Sequence, residues 1–251
     1  MTAHQSWDAR QYAERARFVS DLGMPVVDLL APRPGERVLD LGCGDGILTK
    51  KLMALGCRVV GVDGSPDMVR AAAALGVDAR LVDGRALTFD TEFDAVFSNA
   101  ALHWMGPPAP VFQGVWNALE PGGRFVGECG GYGNVTTILT ALDAAVRARG
   151  GDPERVNPWH YASVEEYEEL AARVGFRIDS IALFPRPTPL PGSLVEWLET
   201  FANAFTAAVP ADERQTLFAD VSSRCESALR DRDGKWTADY VRLRFAMVKS
   251  A

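Results

Sequence analysis

The apolar positions of this chain switch repeatedly between two periods. From Asp8 to Leu30 they recur at helical spacing, with a break near Gly23-Met24-Pro25, and APRPGE (31–36) reads as a linker. Arg37–Leu41 is then a short apolar run that predicts a strand. Asp45–Leu55 returns to helical spacing and is stopped by Gly56 as a C′ residue. Arg58–Asp63 predicts a second strand. GSPDMVRAAAALG predicts a helix with Ser65 as N-cap and Pro66 at its first position. Ala79–Val82 and Phe93–Asn99 predict two more strands, Pro110–Leu119 a helix, and EPGGRFVGECG (120–130) a turn into a fifth strand.

After Gly130 the rhythm changes. Thr136–Arg149 and Val164–Val174 are helical in pattern, the latter ending at Gly175, and Arg177–Phe184 is strand-like. PRPTPLPG is a rigid, non-helical connection between that strand and two predicted helices, Ser193–Ala208 and Ala211–Arg230. At the C-terminal end Val241, Leu243, Phe245 and Met247 alternate with Arg242, Arg244 and Ala246, the period of a strand. The early alternation of strands and helices on short connections calls for an α/β, doubly wound, parallel sheet. The late helices read as an insert between its last two strands.

Composition changes this picture little. The chain has 251 residues, 47% of them hydrophobic and 24% charged, as in an ordinary globular protein. Its formal charge of −7 and scattered Lys and Arg give no basic stripe for a nucleic-acid backbone. Cys43, Cys57, Cys129 and Cys225 form no C-x-x-C pair, so neither a metal site nor a disulfide framework is expected. The first residues have no secretory h-region, and no apolar stretch approaches the ~18 residues of a membrane span. A cytoplasmic protein without stable membrane insertion is the expectation.

The candidate chemistry begins at Gly42-Cys43-Gly44-Asp45-Gly46-Ile47, where a strand turns into a helix. A dinucleotide fingerprint, G-x-G-x-x-G, would need a glycine where Ile47 stands, and the spacing to Lys50 is not that of a phosphate-binding P-loop. Asp45 at the helix mouth would repel a phosphate and suits a cationic or zwitterionic ligand. Asp63, twenty-one residues past Gly42, is spaced to hold ribose hydroxyls. LVDGRAL (81–87) places Asp83 where it could accept from an adenine amino group. FDAVFSNAALHWM (93–105) runs from a buried strand into a loop with His103 and Trp104, at a strand end of the kind that holds ligands in open α/β sheets.

These features in this order, over residues 37–130, resemble the class I S-adenosylmethionine-dependent methyltransferases. SNAALHWM with the late ADYVRLRFAMVK is similar to the group of trans-aconitate and malonyl-acyl-carrier-protein O-methyltransferases. The resemblance implies a Rossmann-like, seven-stranded sheet with its last strand antiparallel, plus a helical cap and insert. It implies one methyltransferase domain over 1–251: an N-terminal helical cap segment (1–36), a cofactor-binding core (37–130), an insert with the sixth strand capping the substrate (131–236) and a C-terminal strand (237–251). S-adenosyl-L-methionine would be the methyl donor and S-adenosyl-L-homocysteine the product. Asp40, Gly42, Cys43 and Gly44 would line the methionine moiety, with Asp40 near its ammonium. Asp63 would hold the ribose, and Gly64 and Met68 would pack by the adenosine. Asp83, Gly84 and Arg85 would surround the adenine, although Arg85 departs from the small or apolar residues that also occur there. Asn99 and Ala100 would line the methionine side, and Trp7 and Tyr12 are candidates to cover the cofactor.

For catalysis His103 is the base suggested by position, with pocket lining as its plainer role. Tyr132, Asn134 and His160 are candidates to hydrogen-bond a substrate, and Trp104 and Trp159 to wall its pocket. Tyr132 and Asn134 in GGYGN also fit a simple turn, and Trp104 also fits the core. Arg242 and Arg244 read as a structural or solvated face, or as partners of an anionic substrate. Trp197, Phe201 and Phe205 read as core, and Cys43 and Cys129 as small buried residues rather than nucleophiles. The expected function is methyl transfer to a small molecule, at a carboxylate or hydroxyl oxygen, with no metal and no nucleic acid. SNAA stands where a nucleic-acid methyltransferase would carry N-P-P-[YFW]. C-methylation or cyclopropanation of a lipid is the enzymatic alternative. An NAD(P)-dependent oxidoreductase and a non-catalytic cofactor-binding module are the other classes.

Overall fold

The computed structural model describes residues 5–250, which divide into two compact units. One contains Arg17–Tyr132, His160–Phe184 and the chain from Arg242 onward; the other contains the segment ending at Ala16, Gly133–Trp159 and Pro185–Val241.

In chain order the helices are α1 (Ala9–Arg15), α2 (Arg17–Asp21), α3 (Met24–Leu30), α4 (Ile47–Ala54), α5 (Pro66–Ala74), α6 (Ala109–Ala118), α7 (Thr136–Ala148), α8 (Val164–Val174), α9 (Leu194–Phe201) and α10 (Arg214–Leu229). The strands are β1 (Arg37–Leu41), β2 (Arg58–Asp63), β3 (Asp78–Leu81), β4 (Phe93–Asn99), β5 (Leu119–Gly130), β6 (Phe176–Pro185), β7 (Thr188–Pro189), β8 (Thr237–Ala238) and β9 (Val241–Lys249).

The first unit is built on a seven-stranded sheet of order β3-β2-β1-β4-β5-β9-β6. The pairs β3/β2, β2/β1, β1/β4 and β4/β5 are parallel, and β9 runs antiparallel to β5. This is the doubly wound, Rossmann-like sheet with an antiparallel last strand. Period-two alternation splits each strand between two faces. Leu39, Leu41, Phe125, Leu243, Phe245 and Met247 pack with Phe112 of α6 and Tyr167 of α8. Val38, Ala95, Phe97 and Val126 pack with Val26 and Leu30 of α3 and Leu52 of α4. On this second face the apolar rows give way, toward the strand ends, to a polar row: Asn99 lies opposite Glu128, and Glu128 opposite Arg244.

The second unit gathers α1, α7, α9 and α10 with the two-stranded β7/β8 pair, of which β7 lies inside the proline-rich stretch read as a connection. An aromatic cluster joins its pieces: Trp7 and Tyr12 pack edge-on against Phe201 at 6.2 Å, and Trp159 lies 6.2 Å from Trp197 and 5.5 Å from Phe205.

Several boundaries differ from the expected ones, and three of the differences have a visible cause. α4 begins at Ile47 instead of Asp45, because Gly46 adopts a left-handed φ of 82° and Asp45 turns back to accept the Ile47 N–H at 3.3 Å. The N-terminal helical stretch also breaks at Ala16, where the chain passes from one unit to the other. The helix expected over Ser193–Ala208 breaks at Ala202 into α9 and a 3-10 turn. There Asn203 turns aside to bond the backbone of Ser6 through both amide atoms, at 3.0 and 2.9 Å. Among the described residues no helix is long and apolar enough to cross a membrane.

Candidate active site

The C-terminal ends of β1, β2 and β4 in the sheet unit bring most of the predicted cofactor residues together. Gly42, Gly44 and Gly46 all have positive φ, which only glycine adopts without strain, so the turn needs all three. They face different surroundings. A Cβ on Gly42 would lie 2.2 Å from the Ala101 Cβ, and one on Gly46 would lie 2.9 Å from the Ala72 Cβ of α5. Gly46 thus provides the close packing that a dinucleotide fingerprint assigns to a glycine one position later. A Cβ on Gly44 or Gly64 would meet nothing within 4 Å, so backbone at these two positions borders open space.

Asp63 closes β2 beside this space. Its two oxygens accept the N–H of Gly44 at 3.0 Å and of Ser65 at 2.8 Å. Each oxygen keeps a second lone pair, so the anchored carboxylate can still accept from a diol. Asp40 lies deeper, almost fully buried, and accepts from Thr49 Oγ1 of α4 at 2.6 Å. Burial raises its pKa to about 7, against the Thr49 bond, with Asp63 adding to the rise. Burial also raises Asp45, opposed by its own backbone contacts and by Arg17, and raises Asp63 against its two N–H bonds. Three acids thus crowd one turn, an environment that favours a cationic group.

Other predicted cofactor residues have packing work. The Cys43 side chain points inward against Ala72 and Val77, where a Cβ on Gly61 would come within 2.9 Å of its sulfur. Only the backbone of Cys43 is therefore placed for a ligand. Met68 is buried. Gly84 admits Met105, whose sulfur would be 2.6 Å from a Cβ there, and the same methionine approaches Gly42. Asp83 is exposed and forked onto the Arg85 guanidinium at 2.7 Å, and Arg85 also reaches the Gly106 carbonyl at 3.4 Å. Asn99 donates to the Val19 carbonyl at 3.4 Å. Ala100 takes a left-handed φ of 56°, its N–H held by the Glu128 carbonyl at 2.7 Å. A non-glycine residue in that conformation is strained and is fixed by its surroundings. Trp7 and Tyr12 belong to the other unit, within its aromatic cluster.

The candidate catalytic residues also separate. His103 is buried, and its Nδ1 accepts the Gly130 N–H at 3.2 Å. Burial, with Arg242 second, drops its pKa well below the ordinary value. A neutral imidazole accepting through Nδ1 carries its proton on Nε2. This geometry suits His103 as a donor, not as the base its position suggests. Trp104 lies 5.3 Å from the His103 ring. Tyr132 is exposed, its N–H bonded to the Ala162 carbonyl. Asn134 and Trp159 lie in the other unit; Asn134 is buried with Oδ1 accepting the Val241 N–H at 2.9 Å, which is turn construction. His160 is half-buried, its N–H on the His103 carbonyl at 2.8 Å and its Nε2 2.8 Å from Glu166 Oε1.

The arginine face of β9 does point inward. Arg242 and Arg244 converge on buried Glu128, at 3.1 and 2.7 Å. Glu128, Thr49, Met105 and Glu166 are the residues missed in the sequence. Glu166 alone had a local signal, an acid at the third position of a helix that starts with Ser163.

A family profile described as a methyltransferase domain matches residues 39–127. An uncharacterized methyltransferase of Schizosaccharomyces pombe is 39% identical, over 97% of this chain and 98% of that one. A trans-aconitate 2-methyltransferase of Mycolicibacterium gilvum is 30% identical, over 86% of this chain and 90% of that one. Among solved structures, one described as a methyltransferase of Bacillus halodurans superposes with a TM-score of 0.63 at 14% identity, covering 91% of this chain and 98% of that one.

Proposed function

Because this chain belongs to the S-adenosylmethionine-dependent methyltransferases, we propose that it methylates an oxygen of a small-molecule acceptor from a donor bound at the glycine turn. The observation that carries the donor site is Asp63, pinned by Gly44 and Ser65 beside backbone with open space above it. A ribose would hydrogen-bond Asp63. The amino-acid tail would run over the backbone of Gly42–Gly44, its ammonium answering Asp40. The adenine would lie by Gly64 and the Asp83–Arg85 loop, whose exposed ion pair is weak enough to rearrange. When bound, S-adenosylmethionine supplies a methyl group already activated on a cationic sulfonium. The chain's own task is then to hold the acceptor in line and keep water out. Three acids around one turn favour that cationic ligand over a pyrophosphate.

An oxygen acceptor is supported by the kinship with a trans-aconitate 2-methyltransferase, an acid-modifying relative. The test is calorimetry with S-adenosylmethionine, S-adenosylhomocysteine and NAD, followed by a screen of small acids and alcohols for S-adenosylhomocysteine release. Binding of the first two and turnover of an oxygen acceptor are expected. Binding of NAD alone refutes the donor site, and turnover confined to amines or carbon acids refutes the oxygen assignment.

A further inference from the structure

We infer that Arg242 and Arg244, sharing the carboxylate of Glu128, form a carboxylate-binding subsite, and that the acceptor is an acid bearing a carboxylate besides the oxygen that takes the methyl. This rests on the methyl-transfer reading above.

The strand ends of the sheet unit are divided by charge. Asp40, Asp45 and Asp63 gather where β1 and β2 end. On the far side of β4, Glu128 of β5 meets Arg242 and Arg244 of β9, two guanidiniums to one carboxylate, which leaves one positive charge in excess. The register places this trio. Asp40 lies opposite Phe97, Phe97 opposite Val126, and Val126 opposite Ala246. Asn99, Glu128 and Arg244 form the next row on the same face, toward the end at which β1 passes into Gly42. The Glu128 carbonyl holds the Ala100 N–H, and the next residue, Ala101, is the one packed on Gly42. β9 stands two strand spacings from β4, about 10 Å. One small molecule laid across these strand ends spans that distance.

Support of the fold does not account for the second arginine. One guanidinium neutralises Glu128, and bringing a further cation to a buried carboxylate is costly. The two arginines are also held differently. Arg242 is buried, with its Nε on Glu128 Oε1 at 3.1 Å. Arg244 keeps 26% of its side chain exposed, and its Nε and one terminal nitrogen meet Glu128 Oε2 at 2.8 and 2.7 Å. Its guanidinium lies 5.1 Å over the Phe184 ring, and its other terminal nitrogen makes no hydrogen bond among the described residues. A planar fork that is fixed and still partly open is the donor a carboxylate takes. Arg242 also acts on His103, where its charge adds to burial in keeping the imidazole neutral. A carboxylate bonded to a guanidinium has its lone pairs engaged and is a poor nucleophile. The group held by Arg244 is therefore the anchor, and the methyl goes to another oxygen of the same molecule.

The experiment is calorimetry on the full chain in its S-adenosylhomocysteine complex. If S-adenosylhomocysteine does not bind, the methyl-transfer reading fails, and the acids are titrated into the unliganded chain to judge the subsite by itself. The probes are tricarballylate, glutarate, monomethyl glutarate and dimethyl glutarate. The acids and the monoester keep a carboxylate and should bind; the diester should bind at least about 10-fold more weakly. Thermal melts establish that each variant is folded. R244Q should weaken the acids about 10–100-fold and leave the diester unchanged. R244K, which keeps the charge and loses the fork, should lie in between. E128Q raises the excess charge and should tighten the acids. A trio that only supports the fold predicts changes of the same sign in R244Q and E128Q; that result overturns the proposal, as does a diester that binds like glutarate. In the acceptor screen, turnover should be confined to acids with a second carboxylate, with KM raised in R244Q. Equal turnover of neutral alcohols also overturns the subsite.

Discussion

Thr49 donates its hydroxyl to Asp40 at 2.6 Å, and both side chains are buried where β1 meets α4. Asp40 is thus held as a carboxyl that is about half protonated near neutral pH, its pKa lifted by burial to about 7. An ammonium placed beside it would draw that pKa down and expel the proton. Binding of S-adenosylhomocysteine at about pH 7 is therefore expected to release about half a proton from this site. Calorimetry in buffers of different ionisation enthalpy measures it. D40N should abolish the release. T49V, which removes a bond favouring the ionised form, should increase it.

The same shift ties stability to pH. The folded state keeps the Asp40 proton at pH values where the unfolded chain has lost it. Its contribution is full below about pH 4 and is lost as pH rises through about 7. D40N should flatten that part of the ligand-free melting profile. An unchanged slope between those limits would remove Asp40 as its source.

The glycines of the turn should separate by experiment. G42A forces a Cβ to 2.2 Å from Ala101 and should destabilise strongly in thermal melts. G44A meets open space and bears only the cost of its left-handed φ, roughly 1–2 kcal/mol. It should fold, yet bind S-adenosylhomocysteine at least about 10-fold more weakly, a loss of about 1.4 kcal/mol. Equal melting losses for the two variants would contradict the difference in surroundings.

Glu128 binds two arginines in a buried setting. E128L leaves those cations without their carboxylate and should lower stability by about 3–5 kcal/mol in urea denaturation. Replacing all three residues by apolar ones of similar volume should recover much of that loss. If E128L alone is neutral, the cluster is not what holds the β5–β9 junction.

Asp63 should affect both fold and ligand. D63A leaves the Gly44 and Ser65 N–H groups without their acceptor, at about 1–3 kcal/mol in total. The ribose contact would vanish with it, lowering affinity for S-adenosylhomocysteine about 100-fold. A variant that melts earlier but binds equally well would leave Asp63 a purely structural residue.

What could be read in advance was set by local pattern. The strands ending at Leu41, Asp63 and Asn99, the glycine turn and the alternation of β9 all follow from periodicity and spacing. What could not be read depends on partners distant in the chain. Nothing near Glu128 announces Arg242 and Arg244, and nothing near Ala202 announces that Asn203 turns away to Ser6. His103 illustrates the limit most sharply. Its place after β4 is legible, but its chemistry is decided by one backbone N–H, that of Gly130, brought to it by the next strand.

The position of β9 bears on how this protein is made. The strand latest in the chain is an inner strand, inserted between β5 and β6. During synthesis β6 emerges well before the neighbour that joins it to the sheet, and the open edge of β5 waits for the same partner. That side of the sheet is therefore completed only once β9 has been made and enters between two strands that precede it in the chain.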